Sequence, residues 1–430
     1  MSDLAFRTKD SPPARSEPQM GAAPSVDVRP VPRISIQAFC ESPDLVAAIE
    51  GAARDRRMAR AHVKVQTGGI VAAAEFYQAA ATPNLIIVES KLPGERLDFE
   101  LDRLSQVCDA GTKVVIVGHV NDVELYRSLV QRGVSEYLVA PVGLMDVIKA
   151  VADLYVDRST APLGRTIAFI GAKGGVGSSL IAHNVAWAIS REFENDALVV
   201  DLDLPFGTAG LDFNQDPAQG IAEALGAADR LDDNFLDRLL ARCSDHLNLL
   251  AAPATLDRTY DFGETAFDPV IDLAQSGAPA VVLDIPHTWN AWVRKTLLSA
   301  DEVVITVEPD LANLRNAKNL VDLLKAGRAN DQAPRLIVNK YGLARRPEIK
   351  IEDFTSALAV EPLAIIPFDA QLFGTATNNG QMIAEADPKN QIAETFGTVA
   401  RAVTGRAEVK RPRRGVLAPL FARFSGKKSA

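Results

Sequence analysis

Residues 171–180 read GAKGGVGSSL, and glycines, lysine and serines at this spacing can hold a phosphate. Gly174, Gly175 and Gly177 allow backbone N–H groups to turn inward around an anion, with Val176 between them. A helix starting near Ser179 points its positive end at the same charge. Ser179 stands where a phosphate-binding loop keeps the hydroxyl that binds Mg2+. The lysine that ordinarily follows the last glycine, reaching the β- and γ-phosphates, is replaced by Ser178. The loop's own lysine, Lys173, precedes the glycines instead. Taken alone, such a loop also fits a tight turn.

Further along, polar residues end apolar runs. VVDLD carries Asp201 and Asp203, VVLDIP carries Asp284, and LIVNK carries Asn339. Ligands of parallel sheets bind at the C-terminal strand ends, where a carboxylate can hold Mg2+ through water and an amide can meet a base edge. One acid at a strand end is commonly a helix N-cap. Four such features in order, behind a glycine loop, predict a nucleotide site. Without a lysine at 178 the phosphates lose one charge-assisted contact of about 1.5–3 kcal/mol. The expectation is therefore weak binding and slow hydrolysis, with a dead nucleotide site as the alternative.

These residues need a scaffold. Short apolar runs at 166–171, 196–203, 247–253, 280–286, 302–309, 334–340 and 362–368 read as strands, and residues 390–405 as a closing helix. An earlier series reads the same way, with strands at 33–40, 62–68, 83–90, 112–119 and 135–141 separated by helical spacings. Near-continuous Val/Ile/Leu runs between helices indicate parallel sheets covered on both faces. The fold class is α/β, as two doubly wound parallel-sheet domains. The expected organisation is a disordered arm (1–33, six prolines), a first domain (34–157), a linker (158–165), a second domain (166–405) and a tail (406–430).

The chain has 430 residues and a net charge of −9, which argues against a whole-protein nucleic-acid binder. Cys40, Cys108 and Cys243 are scattered and form no CxxC pair, which argues against a zinc site, a disulfide framework or a cluster-binding pair. No apolar run is long enough to span a membrane and no signal peptide is evident, so a cytoplasmic chain is expected. The tail carries eight Lys/Arg against Glu408 alone. If helical, it sets Val416, Leu417, Leu420, Phe421 and Phe424 on one face, so residues 413–428 are a candidate for contact with an anionic inner membrane. Pro419 shortens any such helix, and a solvated basic tail is the alternative.

Residues 166 to about 400 resemble the deviant-Walker ATPases related to ParA and MinD, whose loop reads KGGVGK[ST]. The resemblance implies ATP and Mg2+ as ligands. It makes Lys173 the lysine that reaches across a homodimer to the partner's nucleotide. Asp203 becomes the residue helping to activate the attacking water. Asp201 and Asp284, with Ser179, become the metal side, and Asn339 with Pro367 and Asp369 of PFD the adenine side. Ser178 departs from the pattern.

The first domain resembles a response-regulator receiver. It offers Phe39, Cys40, Glu89, Gly118 and Ala140 where that family needs acids, a phosphoacceptor aspartate, a hydroxyl and a lysine. It is read as a pseudo-receiver for protein contact, with Glu89 either a fixed phospho-mimic or, favoured, a solvated acid. A degenerate receiver ahead of a deviant-Walker ATPase resembles the CpaE/TadZ family of tight-adherence (Flp-type) pilus localisation factors. That implies partners among the pilus secretion ATPase and its platform, or a polar landmark protein, and a place at the inner membrane or cell pole. A ParA-type DNA-partitioning ATPase is the competing reading, with Arg294–Lys295 and Arg345–Arg346 as candidate basic surface. A phosphorelay regulator is disfavoured by Glu89 and Ala140.

Overall fold

The computed structural model describes residues 28, 30–155, 163–193, 196–227, 230–256 and 258–405. Most of the expected arm, residues 158–162 of the linker and the whole tail 406–430, including 413–428, lie outside the described residues.

The first sheet has strands β1 (Ser35–Cys40), β2 (His62–Thr67), β3 (Leu85–Glu89), β4 (Lys113–Gly118) and β5 (Glu136–Val139). They are all parallel in the order 2-1-3-4-5, a doubly wound arrangement. Every residue of LIIVE in β3 is buried, because helices cover both faces. Ile36, Ala38 and Cys40 enter the core on one face, and Phe39 enters the core on the other. Val28 and Val31 are also buried here, and the Val31 N–H donates to the Arg57 carbonyl at 2.7 Å. The end of the expected arm is thus part of this domain, because its valines cover the sheet's core.

The second sheet has eight strands: β6 (Arg165–Gly171), β7 (Ala197–Asp201), β8 (Ala241–Ser244), β9 (Leu247–Leu250), β10 (Ala280–Ile285), β11 (Glu302–Val307), β12 (Arg335–Tyr341) and β13 (Pro362–Pro367). Their order is 13-12-11-6-10-7-9-8, parallel except for β8, which pairs antiparallel with β9 at the edge. β8 is absent from the sequence reading, because ARCS is short and half exposed. In β6 the alternation is plain. Ile167 and Phe169 face one core, Ala168 and Ile170 the other. The loop after β6 runs into helix α1 (Ser178–Phe193), with β10 and β11 on either side of β6. This sets the glycine loop at the centre of the sheet's C-terminal edge.

The two domains meet on the opposite edge. Arg56 bonds to Asp301 (3.0 Å) and Asp331 (2.7 Å), Arg57 bonds to Asp331, and Asn330 donates to Asp55 (2.9 Å).

Candidate functional site

A cavity of about 760 Å3 opens above the C-terminal ends of β6, β7 and β10. Its walls include all of Lys173 to Ser179, together with Asp203, Asp212, His287 and the segment Thr377–Gly380. Gly175 (φ 81°) and Gly177 (φ 85°) take left-handed conformations, which only glycine adopts without strain. A Cβ on Gly175 would meet nothing within 4 Å, whereas one on Gly177 would come within 2.7 Å of the Asn339 amide nitrogen. The loop is thus open toward the cavity and tight against the protein behind it.

Asp201 and Asp284 are not among these walls; they are buried side by side near the C-terminal ends of β7 and β10. The Asp201 carboxylate accepts from the N–H groups of Asp203 (3.1 Å) and Ala209 (3.2 Å), and so shapes the turn carrying Asp203. Burial, followed by the charge of Asp284, pushes the Asp201 carboxyl up. Burial likewise raises Asp203, which adds the charge of Asp284 to that effect. One oxygen of Asp284, Oδ1, has no hydrogen-bond partner among the described residues, and neither has the buried Ser178 Oγ. Orphaned polar atoms cost free energy unless something else satisfies them. Two crowded carboxylates, an unpaired acceptor and a hydroxyl beside a glycine loop fit a phosphate with a divalent cation.

Lys173 is half exposed at the rim, 3.7 Å from Asp310. Asp310 caps the helix Leu311–Gly327 through the Asn313 N–H. Although burial works the other way, that hydrogen bond and Lys173 hold the Asp310 carboxyl below its usual range. Asn339 does not line the cavity; its amide donates to the Val176 carbonyl at 2.8 Å. Pro367 and Asp369 also lie outside these walls. Asp369 caps the helix Ala370–Asn378 through the Leu372 N–H (2.9 Å), and the far end of that helix reaches the cavity at Thr377 and Asn378.

Sequence reasoning passed over several residues. His183 is fully buried, with Nδ1 at 2.7 Å from Asp212 and Nε2 at 3.4 Å from Asp284. Burial opposes its charge, but the two carboxylates prevail and push its pKa up. It lies one helical turn beyond Ser179, a spacing that shares a face and was readable. His287, Asn316 and Lys340 touch the loop only through tertiary packing.

In the first domain Glu89 is buried, which corrects the solvated-acid reading. Its Oε2 accepts from the N–H groups of Glu41 and Ser42, both at 2.7 Å, and its Oε1 lies 3.1 Å from His119 Nε2. Those contacts outweigh burial and hold its carboxyl below the usual range. The physical reason is that the loop after β1 leaves two N–H groups needing an acceptor. At Gly118 the space beside the backbone is filled by the Tyr137 ring.

Two of the four candidate basic residues are engaged in ion pairs: Lys295 pairs with Asp268, and Arg346 with Glu308 and Glu348. Among the described residues no helix is long and apolar enough to cross a membrane.

Comparison with known proteins supplies relatives. A family model described as an AAA domain matches residues 164–334. The septum site-determining protein MinD of Synechocystis is 26% identical over 253 residues, covering 57% of this chain and 91% of that protein. A solved ParA family ATPase from Chlorobium tepidum is 28% identical, covers 55% of this chain and 98% of its own, and superposes with a TM-score of 0.51. A solved pilus assembly protein CpaE from Caulobacter crescentus is 53% identical, covers 30% of this chain and 98% of its own, and has a TM-score of 0.30.

Proposed function

Because this chain belongs to the CpaE-like ParA/MinD ATPases, we propose that it is an ATP-binding, dimerising organiser that positions the assembly of a pilus machine. The observation that carries the nucleotide reading is a pair of orphaned buried atoms, Ser178 Oγ in the loop whose glycines line one cavity and Asp284 Oδ1 near the end of the neighbouring strand β10. The loop N–H groups would take the phosphates, and Ser179 with Asp201 and Asp284, partly through water, would hold Mg2+. Bound there, the cation would neutralise phosphate charge. Asp203 would orient the attacking water. Lys173 would serve the partner's nucleotide, which fits its half-exposed place at the rim. Asn339, Pro367 and Asp369 would support the adenine side.

With Ser178 in place of lysine, hydrolysis would be weak and binding would do the switching. The first domain would act as a contact module without phosphotransfer, since Glu89 is already engaged and Tyr137 fills the space at Gly118. Its partners would be a pilus secretion ATPase, platform component or polar landmark, at the cytoplasmic face of the inner membrane or a pole. Residues 413–428 would supply the membrane contact. The ion pairs of Lys295 and Arg346 weigh against a DNA-partitioning role. Light scattering with and without Mg-ATP, on wild type and Lys173→Ala, tests the switch. Dimers promoted by ATP in wild type alone are expected; failure of both proteins to bind ATP would leave a nucleotide-independent scaffold.

A further inference from the structure

We infer that four side chains outside the glycine loop, His287, Asn316, Asn339 and Lys340, hold it in its anion-binding shape and take over the positioning role of the missing lysine. The inference rests on the nucleotide-binding reading above and names what prepares that site.

The four contacts all fall on loop carbonyls. His287 Nδ1 lies 2.9 Å from the Gly171 carbonyl, and Asn316 Nδ2 donates to Ala172 at 2.8 Å. Lys340 Nζ donates to Gly175 at 2.5 Å, and Asn339 Nδ2 donates to Val176 at 2.8 Å. In a planar trans peptide the carbonyl and the following N–H lie on opposite sides of the chain. Fixing the carbonyls of Ala172, Gly175 and Val176 on the protein side therefore turns the N–H groups of Lys173, Val176 and Gly177 the other way.

The donors are themselves held. The Lys340 ammonium is also 2.9 Å from Glu308, and its backbone is left-handed (φ 53°), a conformation a lysine seldom adopts. Asn339 is buried with its amide against Gly177. The donors come from three separate places: the turn after β10, the helix Leu311–Gly327 and the end of β12. The frame is built entirely from the chain's own side chains, and a loop held in this way leaves less ordering for binding to supply.

The test uses the full chain and two readouts. Hydrogen exchange of the 171–180 segment, without nucleotide, is compared in wild type, Asn316→Ala, Lys340→Met and Lys340→Arg. Fluorescent ADP and ATP analogues are then titrated into each. Loss of one charge-assisted or amide tie predicts about tenfold faster loop exchange and about tenfold weaker nucleotide binding. ADP and ATP should weaken by the same factor, and Lys340→Arg should restore both readouts. Unchanged loop exchange in Asn316→Ala and Lys340→Met overturns the inference. So does a loss confined to ATP in Lys340→Met, which would place that ammonium on the γ-phosphate instead. If wild type binds neither nucleotide, the nucleotide reading falls, while the exchange readout still decides whether these residues hold the loop.

Discussion

Replacing Ser178 by lysine restores the cation that the loop lacks, and the structure sets the size of the effect. Ser178 is buried at the start of α1, lines the cavity and has an unpartnered Oγ, so no native hydrogen bond is lost on substitution. Ser178 lines a cavity of about 760 Å3, into which the longer side chain can extend. A charge-assisted bond to phosphate contributes about 1.5–3 kcal/mol, or roughly 10- to 150-fold in dissociation constant. The cavity is open to solvent and Lys173 already places one cation at its rim. Both features weaken the new contact, so the expected gain is about tenfold, at the low end of that range. A lysine there reaches the β- and γ-phosphates, so ATP should gain more than ADP. Competition binding against a fluorescent ADP analogue measures the first effect, and phosphate release measures the accompanying rise in turnover. If wild type binds ATP and Ser178→Lys leaves affinity and turnover unchanged, the missing cation is not what limits this site.

Three further outcomes follow from particular contacts. Glu89→Ala deprives the N–H groups of Glu41 and Ser42 of their acceptor and should cost about 2–4 kcal/mol in urea unfolding, with Glu89→Gln costing less; a cost under about 0.5 kcal/mol, the range of ordinary surface changes, would mean the contact is slack. Asp331→Ala removes a carboxylate shared by Arg56 and Arg57 at the domain boundary; Arg56 keeps Asp301 and Arg57 keeps Asp55, so the cost should fall below the about 3–5 kcal/mol of breaking a lone buried pair. Calorimetry should resolve two transitions in the variant where wild type shows one. Despite burial, Arg56, Arg328 and Arg57 hold the Asp331 carboxyl below its usual range. Its contribution is therefore present above the unfolded value of about 3.9 and lost as pH falls through the lower folded value; a boundary that separates near neutral pH would refute this. Finally, the full chain should sediment with anionic vesicles at low salt, and a 1–405 chain should not, equal pelleting of the two being the contrary result.

The strands were legible because a parallel sheet covered on both faces demands continuous apolar runs, as LIIVE and AVVLDI show. β8 escaped because an edge strand needs burial on neither face, and ARCS carries no such run. Val28 and Val31 escaped for the opposite reason, since two valines among prolines show no period although both pack into a core. The glycine loop and the acids Asp201 and Asp284 were readable because each sits at or near a strand's end, where local sequence fixes position. The sequence reads Asn339 as a base contact, and the structure adds that its amide nitrogen also donates to the Val176 carbonyl. No spacing rule reveals that, because the two residues are 163 positions apart.

Ser178 and Glu89 pose the same physical problem in two domains. Each stands where the resembled family keeps a reactive or charged group of another kind, and each loop around it is nonetheless tied down. At Glu89 the carboxylate binds two N–H groups that would otherwise await an acceptor. At Ser178 the tie comes from outside, through the donors that fix the neighbouring carbonyls. A site selected for turnover needs its charges in place when the transition state forms. A site that signals by shape needs only that the bound and free forms differ in free energy. Fixed loops with reduced charge satisfy the second requirement and fall short on the first. On that ground the proposed switch should respond to whether nucleotide is bound more than to how fast it is cleaved. If Mg-ATP promotes dimers of the wild type, Asp203→Ala, a variant designed to slow hydrolysis, should then form them to the same extent. If its dimers fail to form, cleavage is part of the signal and the binding-only switch is wrong.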